Sequence, residues 1–368
     1  MKRLLPAILM IIISGCASKN EKIADRVDLL FSSEFKGNEP GGAVLIMNDN
    51  QIIFEKGYGL ADINSKEKIT PTTLFNVGSI SKTFVSNTIL LLASENKVNV
   101  NDNLSKYFPN FKNHSIANKV KLHHLLTHTS GLPDNRRDFL DSIALLTAKD
   151  LENWNPIEKN DSLLFEPGSK YEYSNPAFNG LVLIIEKVTG RKWQGVVVEK
   201  IFSPAGMPTS RITDGSYPET DVSHGYLKIG NKFIEKDYGE EPTFAAAGNG
   251  GVWSSVRELA NYEMSLRDGK IVAPDVLSHS RSIVRYKPWN DSVPPFIGYS
   301  WFISQSEDGV KIISHTGSQG GFYADFVSIP DKKFFYVVLC NRQFPRKIFR
   351  ERILELIDVK EIPVQTPK

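Results

Sequence analysis

Ile23, Val27, Leu30 and Phe31 recur at three- and four-residue spacing, which predicts an amphipathic helix near the start of the chain after a short polar tether. Two apolar runs then follow, Gly41 to Ile46 and Gln51 to Glu55. They flank Asn48-Asp49-Asn50, residues that favour a tight turn, so the segment reads as a β-hairpin. The same grammar returns near the other end, where Gly321 to Ile329 and Lys333 to Asn341 flank Pro330-Asp331-Lys332. A closing stretch from Lys347 to Val359 places Phe349, Ile353, Leu356 and Ile357 on one helical face. Between these ends the patterns are richer in helix and polar loop. The expectation is an α/β (α+β) protein with one antiparallel sheet built from residues 23–78 and 245–368, flanked by the terminal helices. A mainly helical region, 79–244, is inserted between the two halves.

Composition changes this picture little. Of 368 residues 41% are hydrophobic and 23% charged, an ordinary globular balance that excludes disorder. Lys and Arg number 44 against 42 for Asp and Glu, with no basic concentration of the kind that grips a phosphate backbone, so no nucleic-acid partner is expected. Of the two cysteines, Cys340 lies in the apolar strand-like run Phe334 to Cys340 and reads as a small buried hydrophobe. Cys16 reads differently. Met1-Lys2-Arg3 and the short apolar run Leu4 to Ile13 form a leader too brief to span a bilayer, and Ile13-Ser14-Gly15-Cys16 resembles the bacterial lipoprotein signal box. That resemblance implies a signal peptide over 1–15, a lipidated Cys16 and a tether over 16–22. Ala17-Ser18, without Asp beside the lipidated residue, implies the outer membrane facing the periplasm.

Three short motifs carry chemistry. In Gly78-Ser79-Ile80-Ser81-Lys82, Ser79 and Lys82 are three residues apart, which puts them on one face of a helix, whereas Ser81 points elsewhere. The apolar run that follows would bury the lysine, and desolvation favours its neutral amine, a base able to make the serine hydroxyl a nucleophile. In Tyr171-Glu172-Tyr173-Ser174-Asn175, an extended or looped segment would project Tyr173 and Asn175 to the same side: a phenol to relay a proton and an amide to bind a substrate backbone. In Ser314-His315-Thr316-Gly317-Ser318, a strand-like run ends in glycines that let a ligand approach a sheet edge.

In this order and at this spread, the motifs resemble the serine β-lactamase and penicillin-recognising DD-peptidase superfamily, in its class C β-lactamase and D-Ala-D-Ala carboxypeptidase branch. Leu125 to Pro133, Phe202 to Met207 and Ala247 to Ser255 also look like that family. The resemblance implies a β-lactamase/transpeptidase-like fold and an acyl-enzyme on Ser79, with Lys82 and Tyr173 sharing the proton traffic and Asn175 orienting the substrate amide. The backbone N–H groups of Ser79 and Ser318 would form the oxyanion hole. His315, Thr316 and Gly317 would bind substrate, with His315 and Thr316 meeting a carboxylate or hydrogen-bonding Tyr173. Many β-lactamases carry Lys where His315 stands, which puts efficient β-lactam turnover in doubt.

An α/β-hydrolase is set aside because no Gly-x-Ser-x-Gly occurs. His124 and His128, four apart, lack the accompanying carboxylate of a zinc motif, so no metal or other cofactor is expected. Two readings stand. One is a cell-envelope serine hydrolase acting as a monomer on D-amino-acid peptides from peptidoglycan, on esters or on β-lactams. The other is a catalytically weak lipoprotein binding peptidoglycan fragments or a protein partner.

Overall fold

The computed structural model describes residues 18–134, 149–214, 220–235, 247–362 and 364. Cys16, the leader and the 245 boundary lie outside them.

Helix α1 (Lys19–Glu34) buries Ile23, Val27 and Phe31 on one face. It begins inside the stretch expected to be tether. The reason is a capping box, in which Ser18 Oγ accepts from the Glu21 N–H and Glu21 Oε2 accepts from the Ser18 N–H. Strands β1 (Gly42–Asn48) and β2 (Gln51–Tyr58) form the expected hairpin. Asp49 and Asn50 between them both take left-handed backbone, the geometry that a two-residue hairpin turn demands.

The chain returns to the sheet with β3 (Phe302–Ser306), β4 (Lys311–Gln319), β5 (Phe322–Ile329), β6 (Phe334–Cys340) and β7 (Glu361–Ile362). The spatial order is β7-β3-β4-β5-β6-β1-β2, all pairs antiparallel, so β6 pairs with β1 and stitches the two chain ends together. The closing helix α7 (Arg346–Glu355) is shorter than its apolar pattern suggests. A left-handed Asp358 turns the chain back, letting the short β7 pair with β3, an edge strand that the sequence did not announce.

Alternation on the strands explains the layers. On β1, Val44 and Ile46 pack with Phe31, Phe349 and Ile353 against the terminal helices, while Ala43, Leu45 and Met47 face the helical region. The sheet is therefore buried on both faces. Cys340 is fully buried under the terminal helices, as a small hydrophobe.

In the helical layer, α2 (Ser81–Ser94) is buried along most of its length, polar residues included. Most of their polar atoms find partners: Thr88 Oγ1 donates to Phe84 O, Ser86 Oγ to Tyr299 O and Asn87 Nδ2 to the Tyr262 hydroxyl, while Asn87 Oδ1 is buried with no hydrogen-bond partner among the described residues. Around α2 lie α3 (Asp150–Glu158), α4 (Asn175–Thr189) and the four-residue α5 (Ala247–Gly250). Helix α6 (Val256–Arg267) comes from the C-terminal stretch assigned to the sheet, yet it joins this layer by packing on β1 and β6. A small sheet of Phe75–Asn76, Val252–Ser254 and Arg211–Ile212 bridges the two regions just ahead of α2.

Candidate active site

Ser79 sits in a 3-10 turn, Gly78–Ile80, that feeds directly into α2. The turn is fixed at its start, because Asn76 Oδ1 accepts the Gly78 N–H at 2.8 Å. Ser79 itself is half-buried and open to a ligand. One turn on, Lys82 is fully buried, with Nζ 3.1 Å from Ser79 Oγ and donating to Asn249 O at 2.7 Å. A proton can pass between Ser79 and Lys82 without either side chain moving far. Ser81 is excluded from this chemistry: it is fully buried and its Oγ accepts the Val252 N–H at 3.0 Å.

Tyr173 comes from a loop that ends at α4. Ser174 caps that helix, and Asn175 is its half-buried first residue, so the expected loop reaches Ser174 and Asn175 already lies on the helix. Lys82 Nζ lies 5.1 Å from the Tyr173 ring centroid. Behind the phenol stands His128, whose ring stacks on Tyr173 at 4.3 Å. His128 holds the loop at two points: Nδ1 accepts from the Ser174 N–H at 3.0 Å and its carbonyl accepts from the Glu172 N–H at 2.9 Å. Burial, with Lys82 and His315 adding to it, pushes its imidazole well below the usual value, so the ring is neutral. Sequence reasoning treated His128 only as a zinc candidate to be dismissed. Its left-handed backbone and its role behind Tyr173 leave no signature in residue spacing.

The third motif lies on β4. Strand β3 pairs with β4 only as far as Ser314, so from His315 onward that edge has no strand partner among the described residues. Gly317 and Gly78 let β4 and the Ser79 turn close on each other. A Cβ on Gly317 would come within 2.1 Å of Val77 O, and one on Gly78 within 2.8 Å of Ser318 N. The backbones carrying the Ser79 and Ser318 N–H groups are thereby in contact, as an oxyanion hole requires.

His315 is 1% exposed and packs on Phe302. Burial, then Lys82, pushes its pKa down to about 3. Its Nδ1 lies 2.7 Å from Thr316 O, which fixes the ring proton there and leaves Nε2 as an acceptor. That nitrogen is buried with no hydrogen-bond partner among the described residues, and a neutral acceptor offers nothing to a carboxylate. Thr316 falls on the other side of β4, lining a cavity of about 470 Å³ with Asp325, Arg346 and Arg350. Arg346 and Asn249 are further residues that the sequence did not single out individually. Both lie in stretches whose pattern reports packing, not chemistry.

His124 Nδ1 accepts the Lys121 N–H, and His123 Nδ1 lies 2.9 Å from the Tyr286 hydroxyl. Among the described residues, no cluster of His, Cys, Asp or Glu has the arrangement to hold a metal.

An antiparallel sheet buried on both faces, with a serine–lysine turn against its open edge, is the β-lactamase/transpeptidase-like fold. The beta-lactamase family model matches residues 20–359, and the chain belongs to that family. Penicillin-binding protein 4* of Bacillus subtilis (strain 168) is 25% identical over 329 residues, covering 85% of this chain and 71% of that protein. Protein flp of Staphylococcus aureus (strain MW2) is 26% identical over 312 residues, covering 83% of this chain but only 60% of its own length. Among solved structures, the octameric penicillin-binding protein homologue from Pyrococcus abyssi superposes with a TM-score of 0.75 at 27% identity, over 93% of this chain and 77% of that one. The D-amino acid amidase from Ochrobactrum anthropi SV3 gives 0.74 at 19% identity, over 92% and 99%, a likeness of fold.

Proposed function

We propose that this protein is a cell-envelope serine acyl hydrolase that forms a covalent acyl-enzyme on Ser79. Its substrates are D-amino-acid amides or peptides and small esters, in preference to β-lactams. The observation that carries the reading is Lys82, fully buried, 3.1 Å from Ser79 Oγ and tied to Asn249 O. In the reaction, Ser79 Oγ attacks the substrate carbonyl while its proton passes to Lys82. Tyr173 delivers a proton to the leaving amine or alkoxide. The N–H groups of Ser79 and Ser318 take the developing oxyanion, and Asn175 orients the substrate amide. Water then attacks the ester carbonyl, giving its proton to the Tyr173 phenolate, while Lys82 returns its proton to Ser79 Oγ as the acyl group leaves as the carboxylic acid.

The preference for esters and amides rests on His315. A buried neutral ring gives no long-range attraction to a β-lactam carboxylate, whereas an ester or amide depends on the oxyanion donors and Asn175. Full-length protein in detergent should turn over p-nitrophenyl acetate with a higher kcat/KM than a chromogenic cephalosporin. A cephalosporin value near ~10⁷–10⁸ M⁻¹s⁻¹ would make the protein an efficient β-lactamase and refute the preference.

We place the protein in the envelope, lipid-anchored through Cys16 on the strength of the Ile13-Ser14-Gly15-Cys16 box, in the outer membrane on that of Ala17-Ser18 without a neighbouring Asp, and we take it to be a monomer. Cys16→Ser should release it from the membrane fraction or stall its maturation. Unchanged attachment with an intact leader would mean an uncleaved anchor, and light scattering of the detergent-solubilised protein checks the monomer.

A further inference from the structure

We infer that Asp150 is a positioning residue for Lys82, acting through Asn179, Gly248 and Asn249. The inference rests on the reading of Lys82 as the base for Ser79 and adds a residue to it. Lys82 Nζ donates to the backbone at Asn249 O, 2.7 Å away, closer than its 3.1 Å approach to Ser79 Oγ. That carbonyl belongs to α5, a single turn with Gly248 and Gly250 on either side of Asn249 and little rigidity of its own. What fixes it is a carboxylate on another helix. Asp150, the first residue of α3, accepts the Gly248 N–H at 2.9 Å and Asn179 Nδ2 at 2.6 Å, both on Oδ1. Asn179 in turn accepts Asn249 Nδ2 at 3.1 Å, so one oxygen of Asp150 holds the loop by its backbone and, through Asn179, by the Asn249 side chain. Trp193 Nε1 donates to Oδ2 at 3.2 Å. Glycine at 248 is part of the arrangement, because a Cβ there would sit 3.0 Å from Asp150 Oδ1 and 2.8 Å from Val182.

Asp150 is only 8% exposed and forms no salt bridge with a Lys, Arg or His among the described residues. Burial raises its pKa to about 6, against the opposing pull of the Gly248, Asn179 and Trp193 hydrogen bonds. Among the elements packed on it, α4 contributes Glu186, which raises the pKa further and is itself paired with Lys192. Beside Asp150 on the chain stand Lys149 and Glu152, while α5 contributes no charged group. A folded pKa above the unfolded one means that stability falls as pH rises from about 4 through 6, so at neutral pH the ionised group is a net cost to the fold. Asparagine fills the same space without that cost, which points to a role for the charge in holding donors. Below pH 6 the carboxyl gains an O–H on Oδ2, where only Trp193 donates, and Oδ1 becomes the weaker acceptor of a neutral acid, which loosens its hold on Gly248 and Asn179 and so on the segment under Lys82.

The test is kcat for p-nitrophenyl acetate across pH 5–9 with full-length protein in detergent, alongside near-UV circular dichroism. Asp150→Ala should keep the native spectrum and hold KM within about threefold, but lose kcat by roughly 10²-fold, the scale of a small misplacement of a catalytic group. Asp150→Asn keeps an oxygen for Gly248 and Asn179 and cannot titrate, so it should retain kcat at pH 8 within about fivefold and lose the acid limb near pH 6. Folded Asp150→Ala with wild-type kcat overturns the inference. So does Asp150→Asn with an unchanged acid limb, and this second arm decides the matter if Asp150→Ala does not fold. Ser79→Ala separates the two claims. Turnover lost there but kept in Asp150→Ala removes only Asp150, whereas turnover kept in Ser79→Ala removes the nucleophile itself.

Discussion

Replacing Gly78 by alanine adds one methyl group at the point where the Ser79 turn meets β4. The φ at Gly78 is +53°, a left-handed conformation that costs an L-residue about 1–2 kcal/mol. The new Cβ would stand 2.8 Å from Ser318 N and 3.2 Å from Gly317 Cα, closer to backbone than such atoms pack, so the turn and the strand must separate by a few tenths of an ångström. Two effects follow, of different size. Stability falls by about the backbone cost, a shift of a few degrees in melting temperature. The oxyanion hole suffers more, because its donors act over a narrow range of distance and the loss of one costs about 10²–10³-fold in kcat. Gly78→Ala should therefore fold, melt slightly earlier and hydrolyse p-nitrophenyl acetate at least 10²-fold more slowly, with KM little changed. A folded variant with kcat within about threefold of wild type would refute the assignment of the Ser79 and Ser318 backbones as the oxyanion hole.

Lys82→Arg keeps a cation that does not give up its proton in proteins, so acylation by a fluorophosphonate should slow by about 10²–10⁴-fold; an unchanged labelling rate rules out a lysine base. Ser81→Ala removes the acceptor for the buried Val252 N–H and should cost about 1–3 kcal/mol in urea unfolding while leaving labelling intact. Acid should weaken the fold, because His123, His124 and His315 are held down to about 4, 3 and 3 in the folded protein. Unfolded histidines take up protons below about 6.5, so this stabilisation is whole above that pH and drains away as pH falls towards the folded values. Asp150 and Asp325, both raised by burial, run the other way but are fewer than these histidines, so the urea midpoint should be lower at pH 4.5 than at pH 7.5; equal midpoints would mean that these rings are not buried neutral.

The ends of the chain were the most legible part. Hairpin turns such as Asp49-Asn50 and strands with apolar residues on both faces write themselves plainly in sequence, because a sheet covered on two sides needs both. The juxtaposition of Ser79 and Lys82 was legible as spacing: three residues place Lys82 on the face of Ser79, and the same rule sends Ser81 to Val252. What the sequence hid is long-range. Asn249 is 167 residues from Lys82, and Asp150 reaches it only because α3, α4 and α5 pack together. Which ring nitrogen of His315 carries the proton was hidden for the same reason. A histidine in a polar motif reads as a donor to anions, and only its burial beside Lys82 turns it into a neutral acceptor.

The central claim is that Ser79, activated by Lys82, becomes acylated. Full-length protein in detergent, treated with a fluorophosphonate and in parallel with a fluorescent penicillin, can be digested and mapped by mass spectrometry. The account predicts one adduct with the fluorophosphonate, on the peptide carrying Ser79 and localised to that residue, and none in Ser79→Ala. An adduct on Ser81, or labelling that persists undiminished in Ser79→Ala, would contradict it.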